Sequence, residues 1–341
     1  MKPIVINGTD RKSFFSPSYN YTFDKNTGYF QRWGKHKEDD PQWCKYGPEI
    51  LDLEISTGDC SGHCGFCYKG NTSNPGKHMS VDMFSRIAKV MPQTLTQIAF
   101  GITDVNANKD FIDILRVTRL CGWVPNLTMA GYGLDDNLAK EMAKYVGAIA
   151  VSVYPHNVDV AYSAIRTLKK NGVKNVNIHL LAHKDGYGHI VSTITGIGQM
   201  ANAVVLLAVK SKGNAASGKF SNLTNEQFDD IMKLAKDHGV AIGFDSCSAP
   251  RYEKYALANG LQDTLQYVER CESALMSSYI NVDGNFFPCS FVEGVDEWEY
   301  GLHVADCQDF VKNIWMHPKT INWRDGLLKN NRHCPVYDLG D

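Results

Sequence analysis

The chain lacks several things that would place it quickly. It has no apolar run of about eighteen residues, so nothing in it reads as a membrane-spanning helix. Its formal net charge is only −2, without the basic excess that non-specific duplex binding needs. That balance argues against a nucleic-acid partner and leaves room only for a local groove; basic clusters such as Arg166–Lys170 read as solvated helix faces. No internal repeat or low-complexity tract is evident, which excludes solenoids and disordered linkers. The opening stretch Met1–Asn7 is too short and polar for a secretory signal. With ten cysteines and no such signal, reduced thiols in the cytoplasm are expected, serving metals and not disulfides. At 43% apolar and 21% charged residues over 341 positions, the chain is globular and long enough to bury a large core.

The most telling scarcity is local. Cys60, Cys64 and Cys67 stand in a C-x3-C-x2-C spacing, and no fourth cysteine follows nearby. Three thiolates on one short loop can hold three corners of a four-iron cluster, whereas purely electron-transferring clusters usually take four. One iron is then free for a small molecule. Leu51–Ser56 alternates like a strand and Thr57–Asp59 breaks it, so the cysteines leave the C-terminal end of a strand, where α/β folds put their chemistry. Gly62 and Gly65 let the backbone curl close to inorganic sulfide, and Phe66 supplies an apolar wall. A zinc knuckle and a thioredoxin-like use of Cys64 and Cys67 are the bland alternatives. Zinc would want a fourth ligand, and His63 is placed awkwardly beside Cys64.

This triad, with an aromatic residue before its third cysteine, resembles the radical S-adenosylmethionine (SAM) superfamily. The resemblance implies a [4Fe–4S] cluster whose open iron chelates the amino and carboxylate groups of SAM. Reductive cleavage would then give a 5′-deoxyadenosyl radical that takes a substrate hydrogen.

Between about residues 50 and 245, strand-like runs alternate with helical ones. Strands are expected at Leu51–Ser56, Thr96–Gly101, Pro125–Ala130, Ala148–Val153, Val176–Leu181 and Ala203–Val209, with a seventh at Val240–Asp245. Helices are expected at Val81–Met91, Leu138–Tyr145, Val158–Asn171 and Asn225–His238. Such βα units build an α/β partial (β/α)6 TIM-like barrel, short of the eight that close a full one; radical SAM cores are similarly six-unit partial barrels. Residues 1–49 read as an N-terminal extension with a β-hairpin made of Tyr19–Phe23 and Tyr29–Trp33. The division expected is therefore 1–49, barrel 50–245 and a small C-terminal iron–sulfur domain 246–341.

In that last part, Cys271, Gly284 and Cys289 frame a hairpin with Asp283–Gly284 in its turn, which folds the two cysteines together. This resembles the SPASM and twitch extensions of radical SAM enzymes, and implies one auxiliary [4Fe–4S] cluster. Cys247 and Cys334 are the favoured further ligands; Cys307 is the rival, read as structural at the start of an amphipathic helix. A structural zinc on the same four cysteines is the alternative. Cys44 and Cys121 read as buried small hydrophobes.

By resemblance, Gly101, Thr103 and Asp104 stand where the family carries its Gly-Gly-Glu segment for the SAM amino group. Asn126, Thr128 and Ser152 would line the methionyl and ribose moieties. Glu54, His179, Lys210 and Asp245 are ionisable residues in or after strands, able to bind substrate or move a proton if they face inward. The segment Lys210–Ala216 reads as a mobile loop over the barrel mouth. The function expected is a radical SAM oxidoreductase or maturase, fed by a flavodoxin- or ferredoxin-type donor, that oxidises or cross-links a peptide. A small-molecule or nucleoside dehydrogenase or isomerase, and a non-catalytic electron carrier, are the competing readings.

Overall fold

A computed structural model describes residues 2–36, 39–197 and 200–337. The chain begins with an antiparallel meander of β1 (Ile4–Asn7), β2 (Arg11–Phe15), β3 (Asn20–Asp24) and β4 (Phe30–Trp33). The expected hairpin is its second half. Its turn closes where the Asp24 carboxylate accepts from the amides of Asn26 and Thr27, at 3.0 and 2.9 Å. The first two strands escaped the sequence reading because their polarity is inverted. Ile4 and Ile6 are each 58% exposed, while Lys12 is buried and donates to the Leu95 carbonyl at 2.5 Å.

The main sheet follows with β5 (Ile50–Glu54), α1 (Val81–Val90), β6 (Gln97–Gly101), α2 (Phe111–Leu120), β7 (Val124–Met129), α3 (Asp136–Met142) and β8 (Ala148–Ser152). It continues through α4 (Val158–Lys170), β9 (Asn175–Ala182), α5 (Tyr187–Ile197), β10 (Val204–Ala208), α6 (Asn225–Asp237) and β11 (Ile242–Phe244). Every neighbouring pair from β5 to β11 is parallel. These are the six βα units and the short seventh strand of a partial TIM-like barrel. Local signals set the helix starts: Ser80 and Asp135 accept from the amides of Met83 and Leu138, and Thr224 with Gln227 forms a reciprocal capping box. Alternation sets the facing. Leu51 and Leu53 on β5, and Val176, Ile178 and Leu180 on β9, pack in the core under the helices. Asp52, Glu54, Asn177 and His179 occupy the opposite face, towards the hollow of the barrel.

After α7 (Ala249–Ala258) the chain returns to this sheet. β12 (Ser277–Ile280) pairs in parallel with β5, then β13 (Asn285–Phe287) and β14 (Leu302–His303) extend the edge antiparallel, and α8 (Pro318–Lys329) closes the chain's ordered elements. Ten strands thus run as one sheet across the boundary expected at 245/246.

The turn of the N-terminal meander sits at the base of the barrel. Lys25–Gly28 share a cavity of about 210 Å³ with Gln97, Asn126, Asn175 and Asn177. Arg32 of β4 then ties the meander to the C-terminal part. Its guanidinium holds the Glu49 carboxylate at 2.8 and 2.7 Å and reaches Glu269 at 3.0 Å and Glu272 at 3.3 Å. With Glu49 only 1% exposed at its side chain, Arg32→Met strands a buried carboxylate. It is expected to cost about 3–5 kcal/mol, read as a lower urea midpoint.

Candidate functional site

The loop that leaves β5 folds back on itself before it presents its thiols. The Thr57 amide donates to Lys77 O at 2.9 Å, Asp59 to Asn74 O at 2.8 Å and Cys60 to Thr72 O at 3.0 Å. His63 turns the chain with φ +46°. Cys67 then donates its amide to Cys64 O at 3.1 Å. At Gly62 a Cβ would come into van der Waals contact with Cys64 Sγ at 3.4 Å and Cys60 Sγ at 3.5 Å, so bare backbone faces two of the three sulfurs. Burial, reinforced by the neighbouring Cys67 and Cys60 thiols, pushes the Cys64 thiol up to about 12. Burial likewise raises Cys60, against which the Gly62 amide acts.

Three half-buried cysteines on one loop, two of them, Cys60 and Cys64, with burial opposing their ionisation, suit a cationic metal centre, which stabilises thiolates. Among the described residues, no three His, Cys, Asp or Glu side chains converge as ligands of a single ion. A four-iron cluster does not ask them to, because each thiolate takes its own iron. The residues fit the cluster better than they fit zinc.

The segment after β10 is anchored, contrary to the expectation of a mobile loop. Asn214 donates from its backbone to Cys67 O at 2.9 Å and from its side chain to Cys64 O at 3.1 Å. Lys212 donates to the carbonyls of Ser290 and Phe291, each at 3.3 Å, and to that of Glu293. Two residues therefore grip both the triad loop, through Asn214, and the loop after β13, through Lys212.

Cys247, Cys271, Cys289 and Cys334 form the second group. Burial comes first in raising Cys247, Cys271 and Cys289, each to about 12; Cys247 feels Cys289 and Cys334, Cys271 feels Cys247 and Cys334, and Cys289 feels Cys271. The Phe291 amide donates to Cys289 Sγ and the Tyr337 amide to Cys334 Sγ, both at 3.4 Å. Among the described residues Cys307 has no such cysteine neighbours; it packs against the core ahead of a π-helical turn, Val311–Trp315. Cys44 is fully buried and Cys121 half-buried at the end of α2.

The residues expected around SAM divide. Glu54, Gly101 and Thr128 align in register across β5, β6 and β7 at the triad's end of the sheet. Thr103 is buried, and its Oγ1 has no hydrogen-bond partner. Ser152 is buried at the end of β8, its carbonyl accepting from Asn157 at 3.1 Å. Phe66 stands in an aromatic wall, with ring centroids 4.6 Å from Tyr154, 5.7 Å from Phe220 and 6.3 Å from His156. Asp104 and Asn126 depart from expectation. The Asp104 carboxylate accepts from the Ser61 amide at 2.9 Å and from its hydroxyl at 2.5 Å, so it braces the triad loop. Asn126 lies at the base of the barrel, donating to Gln97 Oε1 at 2.7 Å and accepting from the Ala148 amide at 3.0 Å. It belongs to the wrong end of its strand to reach the triad, because β7 is entered at Val124.

The ionisable candidates are mostly spoken for. Glu54 is paired with Lys69 at 2.9 Å and accepts from Tyr279 OH at 3.2 Å; burial raises its carboxyl, and Lys69 partly offsets this. Lys69 also pairs with Glu293. Glu54, Lys69, Glu293 and Lys212 line a cavity of about 500 Å³ between the triad loop and the hairpin. Lys210 and Asp245 pair with each other at 2.5 Å. Burial opposes the Lys210 charge, but Asp245 and then Cys247 hold its ammonium above the ordinary range. Burial pushes His179 down to about 4, against a weaker pull from Asp245, so it is neutral at physiological pH.

Residues 55–198 match the radical SAM superfamily. The chain carries a radical SAM domain. That domain uses a [4Fe–4S] cluster and SAM as cofactors, which agrees with the triad's geometry. Among solved structures, Streptococcus suis SuiB bound to precursor peptide SuiA is similar over 94% of this chain and 90% of its own, at 12% identity and a TM-score of 0.71. The enzyme anSMEcpe with bound AdoMet is similar over 81% of this chain and 79% of its own, at 15% identity and a TM-score of 0.60. A further structure of anSMEcpe holds AdoMet and the Cp18Cys peptide, at 14% identity, a TM-score of 0.59 and coverages of 81% and 82%. At these identities the likeness is one of fold. No curated protein matches. No helix among the described residues is long and apolar enough to cross a membrane.

The sequence reading of the radical SAM site missed Lys69, Lys212, Asn214, Tyr279 and Glu293, which act through tertiary contacts between distant segments. It also missed Asp52, although Leu51 and Leu53 on either side signalled that it faces inward. Gly213 offers a test of the grip on the triad loop. It has φ +57°, and a Cβ there would stand 2.5 Å from Cys67 O and 2.4 Å from Tyr68 O. Gly213→Ala is expected to cost about 1–3 kcal/mol and to lower the iron retained after anaerobic gel filtration.

Proposed function

We propose that this protein is a cytoplasmic radical SAM enzyme that oxidises or cross-links a peptide. In this reading Cys60, Cys64 and Cys67 hold the SAM-binding cluster, and Cys247, Cys271, Cys289 and Cys334 hold one auxiliary [4Fe–4S] cluster. The observation that carries it is the meeting of two separate cysteine groups at one end of the barrel. Tyr68, next to Cys67, lies 4.3 Å by ring centroid from Phe291, whose amide donates to Cys289. When bound, the clusters and SAM supply reductive SAM cleavage, hydrogen removal and a place for the substrate's second electron.

The chain's own groups do the rest. Gly62 admits the cluster to the triad loop, and Asp104 and Asn214 fix that loop. The unpartnered Thr103 hydroxyl and the Thr128 side chain offer hydrogen bonds to SAM, and the Phe66 wall keeps water from it. Lys210, held by Asp245, sets a positive charge beside Cys247 and Cys289 and favours an electron arriving there. The peptide class is supported by the fold shared with SuiB and anSMEcpe, both captured with peptides. An external flavodoxin- or ferredoxin-type donor completes the electron supply.

Anaerobic reconstitution should give about eight irons and eight sulfides per chain, and about four in Cys289→Ala. With SAM and dithionite, the wild type is expected to release 5′-deoxyadenosine and Cys64→Ala none. A wild type that keeps its clusters but forms no 5′-deoxyadenosine would be an electron carrier. Conversion of a deuterated small molecule, with no peptide modified, would replace the peptide reading.

A further inference from the structure

Within the hollow of the barrel, two polar groups have no protein partner. The Asp52 carboxylate on β5 has no hydrogen bond or ion pair among the described residues. Nδ1 of His179 on β9 is buried and likewise unpartnered. Both face inward, as the buried Leu51, Leu53, Ile178 and Leu180 beside them face out. A chain of electrostatic neighbours runs between them: Asp52 acts on Tyr68 and Cys289, Cys289 and Lys210 act on each other, and Asp245 acts on Lys210 and His179. Every other carboxylate on this path has a cation: Glu54 has Lys69 and Asp245 has Lys210. Asp52 alone is left with its charge uncompensated, yet water reaches it, because its side chain is exposed inside the barrel.

An enclosed carboxylate without a counter-ion costs stability, and that cost falls when a cation arrives. We propose that the barrel hollow receives a cationic group of the substrate, an alkylammonium or guanidinium side chain, on the Asp52 carboxylate, with His179 offering a hydrogen bond from across the hollow. This rests on the peptide reading for its substrate, and it narrows that substrate to one presenting a basic residue to the barrel.

The test uses the reconstituted protein at neutral pH, with n-butylammonium chloride as probe and n-butanol and sodium chloride as controls. The wild type is expected to show a saturable rise in melting temperature of about 2 °C with butylammonium and none with the controls. Asp52→Asn should start with a higher melting temperature than the wild type and lose the response. An equal response in Asp52→Asn, a lower starting temperature for that variant, or a wild type that responds to butanol and butylammonium alike would overturn the assignment. Should Asp52→Asn not fold, the wild-type contrast decides alone. A wild type that binds butylammonium but modifies no peptide would sink the peptide reading and leave Asp52 as a cation site.

Discussion

The parallel pairing of β12 with β5 is the constraint on which the functional end of this protein depends. The triad loop departs from the end of β5, while Cys271 precedes β12 and Cys289 follows β13. Four residues in register, from Ser277 opposite Ile50 to Ile280 opposite Leu53, therefore set where one cysteine group lies relative to the other. Segments more than 200 positions apart in sequence become neighbours through a single ladder of hydrogen bonds. Around that ladder the Glu54–Lys69–Glu293 pairing and the Tyr279 hydroxyl join the triad end of β5 to the C-terminal hairpin, and Lys212 ties the segment after β10 to the loop after β13. Each is local in space and remote in sequence.

Much of this was legible in the chain. The barrel strands follow from short apolar runs at regular spacing, and β6 and β8 start within a residue of where the pattern puts them. The triad was legible because its ligands are consecutive on one loop and need no tertiary information. The four C-terminal cysteines could be grouped because a hairpin brings Cys271 and Cys289 together, and Cys307 fell outside because nothing folds it back.

What was not legible has physical causes. β1 and β2 place isoleucines outside and a lysine inside, so alternation misleads. Asp104 and Asn126 are polar residues near strand ends, and sequence does not say which partner claims such a residue first. In this fold the Ser61 backbone claims Asp104 and the neighbouring strands claim Asn126. The segment after β10 has the small and polar composition of a free loop, but its Lys212 and Asn214 find carbonyls on two other loops. A composition rich in loop formers reports backbone freedom in isolation, not the contacts that remove it.

The meander's turn, lodged with Gln97, Asn126 and Asn175 at the base of the strands, covers the end of the barrel opposite the cysteine loops. Anything approaching the hollow along the barrel axis from that end meets a segment that precedes every barrel strand in the chain.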